Sequence, residues 1–433
     1  MTAKIGIRRE DKSIWERRTP LVPGDVREIM RAGVEVVVQP SDIRIFEETD
    51  YETVGASVDE DLSSASVIFG IKEIPKDVFR KGGTYVFFSH VIKGQEYNMP
   101  MLRQMMELGC NLIDYERVVD EKNRRLIFFG RQAGQAGMVE SIVACGKRLK
   151  ADGIDNPFSA IKRPLEYDSL SEIKVALEVL GHWIRTDGLP EEITPIVIGF
   201  AGYGNVSLGA QEMLDDLPVR EISPSELTGI TQETEGAKNT IFKVVFKEED
   251  MVLPKTPGAS FELQDYYDNP EKYVGRFEDY LPNLTMLINC IFWTPDYPRL
   301  VTKQYIKDHW PGMKLLVLGD ISCDPGGSIE ATYKPTEPGD PNYVYLPATD
   351  SYVYGEVGDG PVIMAVDILP SEISKDSSIY FSNVLKSYMP AIAKADYSVP
   401  FEKLDLPDEI KRAVILYHGE LTPDYKYIEK FLA

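Results

Sequence analysis

Short apolar runs alternate with amphipathic stretches along the first 130 residues of the chain. The runs Lys4–Arg8, Val34–Gln39, Ala65–Gly70, Thr84–Ser89, Asn111–Asp114 and Arg125–Phe129 have the length and composition of buried strands. Between them, Pro23–Ala32, Glu47–Val54 and Met99–Leu108 carry helical spacing. Strands separated by helices imply βα units around a largely parallel sheet. From about Gly134 to Leu189 the period turns helical, most clearly over Met138–Leu149 and Ser171–Arg185, and the segment reads as a connector. A second α/β block opens at Pro195 with Ile196-Val197-Ile198. Its later strands are expected at Val219–Ser223, Met286–Trp293, Lys314–Asp320 and Pro361–Asp367. The stretch from Ser223 to Pro282 is dense in Glu, Lys, Asp and Pro and reads as a partly structured surface excursion. The pattern from Ser371 to Ala433 is helical, best over Ile379–Lys394. A chain that leaves its second domain so late often closes back on the first. The expected domains are therefore 1–137 with 371–433, and 138–370.

Composition narrows the class. The 433 residues are too many for one ordinary domain. No run reaches 18 apolar residues, so no membrane span is expected. The N-terminal segment Met1–Ile7 lacks the features of a signal or transit peptide, so a cytoplasmic protein is expected. The net charge of -22 argues against nucleic acid or an anionic membrane as partner, while leaving room for small anions held by a few cations in a cleft. Cys110, Cys145, Cys290 and Cys323 are far apart and form no CxxC pair, so neither a metal site nor a disulfide framework is expected.

One segment has the context of a dinucleotide fingerprint. Gly199-Phe200-Ala201-Gly202-Tyr203-Gly204-Asn205-Val206 follows an expected strand and opens an expected helix. Gly202 makes the tight turn, and Gly204 lets backbone approach a pyrophosphate at the helix N-terminus. Ser207 stands where a third glycine is usual, with Gly209 two residues on. Glu221 lies about 20 residues on, near the end of the next strand, where an acid would bind the ribose of NAD. Its neighbours Arg220 and Ser223 would instead suit the 2′-phosphate of NADP, and both readings stay open.

Two further segments carry candidate chemistry. Gly70-Ile71-Lys72 and Phe88-Ser89-His90 each end an apolar run in a proton-bearing side chain. On adjacent parallel strands both would reach the same sheet edge, where open α/β sheets bind ligands. Burial lowers a lysine pKa, and histidine titrates near neutrality, so the pair would move protons. Arg18 lies in a basic pair just ahead of a helix. His182, His309 and His418 sit in amphipathic or loop contexts and are given no role.

With these residues in place, a resemblance is visible. The pieces Leu112–Glu116, Phe129–Met138, Gly202–Glu212, Asp320–Ser322, Gly326–Glu330 and Asp367–Pro370 resemble the lysine–2-oxoglutarate reductase type of saccharopine dehydrogenase. That type lies within the alanine dehydrogenase and transhydrogenase superfamily, and the similarity covers nearly the whole chain. The resemblance implies two Rossmann-like domains with largely parallel sheets and an interdomain cleft. It implies reduction of the imine of L-lysine and 2-oxoglutarate to saccharopine, with Lys72 and His90 as the acid–base pair. Glu116 would partner the lysine; Arg18, Lys93, Arg131 and Asp367 would meet substrate. Gly202, Tyr203, Gly204, Asn205, Val206, Glu221 and Ile321 would meet the cofactor, NADP(H) or NAD(H), with NADP(H) slightly favoured. Arg131-Gln132 stands where relatives often carry an aromatic or amide residue, which leaves the amino acid open. The expected partners are an amino acid and a 2-oxo acid, with a homo-oligomer as the family's habit. The alternatives are another amino-acid dehydrogenase of the superfamily, such as one acting on alanine, and a non-catalytic nucleotide or amino-acid sensor.

Overall fold

The computed structural model describes residues 3–231 and 234–432. Met1 and Thr2 of the N-terminal segment, Gln232 and Glu233 of the Ser223–Pro282 stretch, and Ala433 lie outside them. The chain divides into two compact units, Met1–Phe129 with Ser374–Ala433, and Gly130–Ile373.

In the first unit, β1 (Ala3–Ile7), β2 (Val34–Val38), β3 (Ser57–Val58), β4 (Val67–Phe69), β5 (Thr84–Phe87) and β6 (Asn111–Asp114) pair in parallel in the order 3-2-1-4-5-6. This is the doubly wound order, and its direction of progression reverses between β1 and β4. The helices α1 (Pro23–Arg31), α2 (Glu48–Thr53) and α3 (Met99–Glu107) fall close to their expected places. Proline at the first position and Asp25 in the first turn start α1, and Gly33 at φ +84° follows its end. Two expectations need correction. Arg125–Phe129 is not a strand: Arg125 makes one isolated bridge to Val119, and the Phe129 ring stacks on Phe381 at 4.9 Å. The tail is not wholly helical: Val414–Tyr417 pairs antiparallel with β6, and Glu420–Leu421 closes a hairpin onto it.

The second unit opens with α4 (Gly130–Ala151), a 22-residue helix that starts well before the expected Met138. Its first turns read Gly-Arg-Gln-Ala-Gly-Gln-Ala-Gly and have no apolar period, yet most of the helix is buried. α5 (Leu170–Thr186) follows, capped by the Ser169 side chain. The sheet then builds from β7 (Ile196–Ala201), α6 (Asn205–Glu212), β8 (Val219–Ile222) and β9 (Ile241–Phe246). After a small hairpin of β10 (Val252–Pro254) and β11 (Tyr273–Gly275) come β12 (Met286–Asn289), β13 (Val317–Asp320), β14 (Asn342–Leu346), β15 (Ser351–Tyr354) and β16 (Val362–Met364). The strand order is 15-14-16-13-12-7-9-8, parallel except at β14 and β15.

The stretch read as a surface excursion is therefore corrected. It contains β9, an apolar strand inserted between β7 and β8. Strand order here is not sequence order: β8 comes next in the chain after β7 but lies one place further out. Both units are α/β with mostly parallel eight-stranded sheets, Rossmann-like in each case. Among the described residues, no helix is long and apolar enough to cross a membrane.

Candidate active site

The carboxyl ends of β1, β4, β5 and β6 carry the ionisable groups of the first unit. β4 and β5 are adjacent and parallel, so Lys72 and His90 leave neighbouring strand ends. The strand reversal lies one strand away, between β4 and β1, where such sheets open a crevice.

Lys72 is half-buried, and among the described residues its ammonium has no hydrogen-bonding partner. Burial lowers its pKa; the nearby Arg18 charge lowers it further, against Glu16 and Glu73. Its backbone is held from β1's side. The buried Glu10 carboxylate accepts the Ile71 amide at 2.7 Å and the Lys72 amide at 3.0 Å. Burial pushes the Glu10 carboxyl up to about 7, with Arg8 opposing.

His90 sits at φ +50°, a backbone conformation non-glycine residues rarely adopt. Its Nδ1 lies 2.8 Å from Glu73 Oε1, leaving Nε2 for other work. Glu73 also binds Lys12 through Oε2 at 2.7 Å. Burial pulls the Glu73 carboxyl upward, but His90 and Lys12 outweigh it and hold the group well below the usual carboxylate range. Glu73 was not among the sequence candidates; its adjacency to Lys72 was the available signal. On the next strand, the buried Asp114 binds the Ser89 hydroxyl and accepts the Glu116 amide at 2.8 Å.

Arg18 is buried over the Phe129 ring, 4.3 Å from its centroid. Glu16, also buried, takes the Nε and Nη2 edge of the guanidinium at 2.7 and 2.5 Å. The pair is neutral overall, and Nη1 remains as a directional donor.

In the second unit, Gly202 turns the chain at φ +93°, and a Cβ there would lie 2.9 Å from the Ile291 side chain. A Cβ at Gly204 would meet nothing within 4 Å: the space beside the turn is open, as an approaching pyrophosphate requires. The exposed Asn205 begins α6, with Val206 next, so free amides face that space. Gly209 has another use. A Cβ on it would overlap the Arg131 carbonyl, and one on Gly134 would overlap the Val206 carbonyl. The two glycines let α4 and α6 touch backbone to backbone. The donor set and the open turn fit a dinucleotide.

Comparison with known proteins places this geometry. Residues 6–136 match the alanine dehydrogenase/PNT N-terminal domain, and residues 274–424 the C-terminal domain. The chain belongs to the alanine dehydrogenase/PNT family. It is 37% identical over 98% of its length to alpha-aminoadipic semialdehyde synthase of Arabidopsis thaliana, covering 41% of that protein, and 34% identical to the mitochondrial enzyme of Rattus norvegicus, covering 47%. The chain thus spans less than half the length of these relatives. A saccharopine dehydrogenase [NAD(+), L-lysine-forming] of Emericella nidulans is 26% identical over 90% of this chain and 91% of its own. Among solved structures, an L-alanine dehydrogenase superposes with a TM-score of 0.64 at 18% identity, covering 99% of this chain and all of its own.

The remaining residues named by the family resemblance are spread over both units. Glu116 is ion-paired with Arg125, and the acids that act on Lys72 are Glu16 and Glu73. Lys93 is exposed on the turn after His90. Arg131 and Asp367 belong to the second unit, where Arg131 binds Glu212 at 2.8 Å and Asp367 is exposed after β16. Ile321 is buried with its side chain against Gly137 of α4. Glu221 lies on the outer strand β8, paired with Lys243 at 2.7 Å. The strands flanking β7 are β9 and β12, so β8, which carries Glu221, lies one place further out than the next strand in sequence would suggest.

Proposed function

We propose that the chain is a nicotinamide-dependent oxidoreductase that reduces the imine of L-lysine and 2-oxoglutarate to saccharopine, and runs the reverse reaction. The observation that carries this reading is Lys72 and His90 at adjacent strand ends, one held through its backbone by Glu10, the other through its ring by Glu73. The first unit would take the amino acid and 2-oxo acid, and the second the dinucleotide.

Each bond change needs a proton moved. Addition of the lysine ε-amine to the keto carbon forms the C–N bond, breaks the C=O π bond so that the oxygen takes up a proton, and leaves a proton to be shed from nitrogen. Burial lowers the pKa of Lys72, which favours the neutral amine that accepts that proton. Loss of water breaks the C–O bond and needs a proton at the departing hydroxyl, which His90 Nε2 is free to deliver. The nicotinamide, when bound, supplies the hydride, which adds to the carbon of the N-protonated imine to give the secondary amine. Arg18 offers Nη1 to a substrate carboxylate while Glu16 fixes its other edge.

The test is oxidation of NADH and NADPH in parallel, with lysine plus 2-oxoglutarate and with pyruvate plus ammonia. Turnover with the first pair is expected. Turnover only with the second would make the chain another amino-acid dehydrogenase. Binding without turnover on either pair would make it a sensor.

A further inference from the structure

The structure points to a ribose-recognition group that sequence spacing hides. β9 runs the full length of β7, Ile241 beside Ile196 and Phe246 beside Ala201. The Gly202 amide then donates to the Phe246 carbonyl at 3.0 Å, so the chain leaving β9 passes directly beside the glycine turn. Two residues on is Glu248. It lines one cavity of about 440 Å³ together with Gly202, Tyr203, Gly204, Tyr267 and Phe292. Its Oε1 accepts the Tyr267 hydroxyl at 2.7 Å, which fixes the carboxylate in the cavity wall. Its charge also raises the pKa of the Tyr203 hydroxyl, with a smaller contribution from Glu249.

We propose that Glu248 binds the adenosine ribose hydroxyls of the dinucleotide and selects NAD(H) against NADP(H). This rests on the reading of the second unit as a dinucleotide site. Position in the sheet, not in the chain, carries the argument. In a Rossmann sheet the acid that meets the adenosine ribose stands within a few residues of the carboxyl end of the strand that flanks the glycine-turn strand on the side of its first βα crossover. That strand is β9, whereas Glu221 lies on β8, one strand further out, where it pairs with Lys243. A carboxylate accepts hydrogen bonds from a 2′,3′-diol, whereas a 2′-phosphate would bring about two negative charges against it. Glu249 and Asp250 follow at once and add to the repulsion. Lys247 is the adjacent cation; it is exposed and precedes the acids. This assignment runs against the NADP(H) lean of the family resemblance.

The experiment is equilibrium binding of NADH and of NADPH to the whole chain, followed by the fluorescence of the reduced nicotinamide. Wild type, Glu248→Gln, Glu248→Ser and Glu221→Gln are compared, with circular dichroism checking each fold. Wild type should bind NADH about tenfold or more tighter than NADPH. Both Glu248 variants should narrow that ratio by about tenfold, partly by gaining NADPH affinity, and Glu221→Gln should leave it unchanged. Preference of wild type for NADPH, an unchanged ratio in both Glu248 variants, or a ratio that moves with Glu221→Gln would each overturn the assignment. If wild type binds neither nucleotide, the dinucleotide reading itself fails, and this assignment with it.

Discussion

Replacing Glu10 with glutamine tests the hold on Lys72 through stability. Glu10 is buried, and its carboxyl stands at about 7 in the fold against 4.5 in a free chain. Between those values the folded state binds more protons than the unfolded state, so the group's contribution to stability falls as pH rises from 4.5 to 7. A shift of that size corresponds to about 3 kcal/mol lost across the window. Glutamine is neutral at every pH and escapes that loss. Its amide nitrogen accepts no hydrogen bond, so one of the Ile71 and Lys72 amides loses its acceptor, at about 1 kcal/mol. Glu10→Gln should therefore be about 1 kcal/mol less stable than wild type near pH 4 and about 2 kcal/mol more stable near pH 8. The difference between the two proteins isolates Glu10 from every other titrating group. Urea unfolding across that pH range, followed at the first unit by a probe on Trp15, measures it. A difference that stays flat with pH, or grows against the variant as pH rises, would refute the placement of a desolvated carboxylate at this strand end.

Lys72→Met and His90→Gln should each lower turnover with lysine and 2-oxoglutarate by about 100-fold or more while NADH binding persists; turnover within about twofold of wild type would remove the pair from the chemistry. Gly134→Ala should cost about 1–3 kcal/mol in thermal unfolding, because its Cβ would overlap the Val206 carbonyl and lie 2.7 Å from the Ala210 nitrogen, where no rotamer relieves the clash; an unshifted transition would mean that α4 and α6 are not held backbone to backbone.

How much of this was legible in the sequence follows the range of the interactions involved. The apolar runs that became β1, β2, β4, β5 and β6, the helices between them, and the glycine turn each have a local signature, and all were readable in place. So was the exit of Lys72 and His90 from strand ends, because it depends only on where each apolar run stops. β9 was not. Ile241–Phe246 is an apolar run of six residues in a stretch dominated by charge, and its place between β7 and β8 is a pairing no local spacing encodes. Val414–Tyr417 was missed for the same reason, since its partner β6 lies some 300 residues away in the chain. The α4 start at Gly130 was hidden because close packing on α6, and not an amphipathic period, makes those glycine-rich turns helical. The site divides along the same line. Chain order alone placed the proton-bearing side chains. Only the folded sheet decided that Glu10 from the end of β1 grips the backbone of Lys72, that Glu116 turns to Arg125, and that Glu248 and not Glu221 stands beside the glycine turn, because those are contacts between segments whose neighbourhood exists only once the strands have paired.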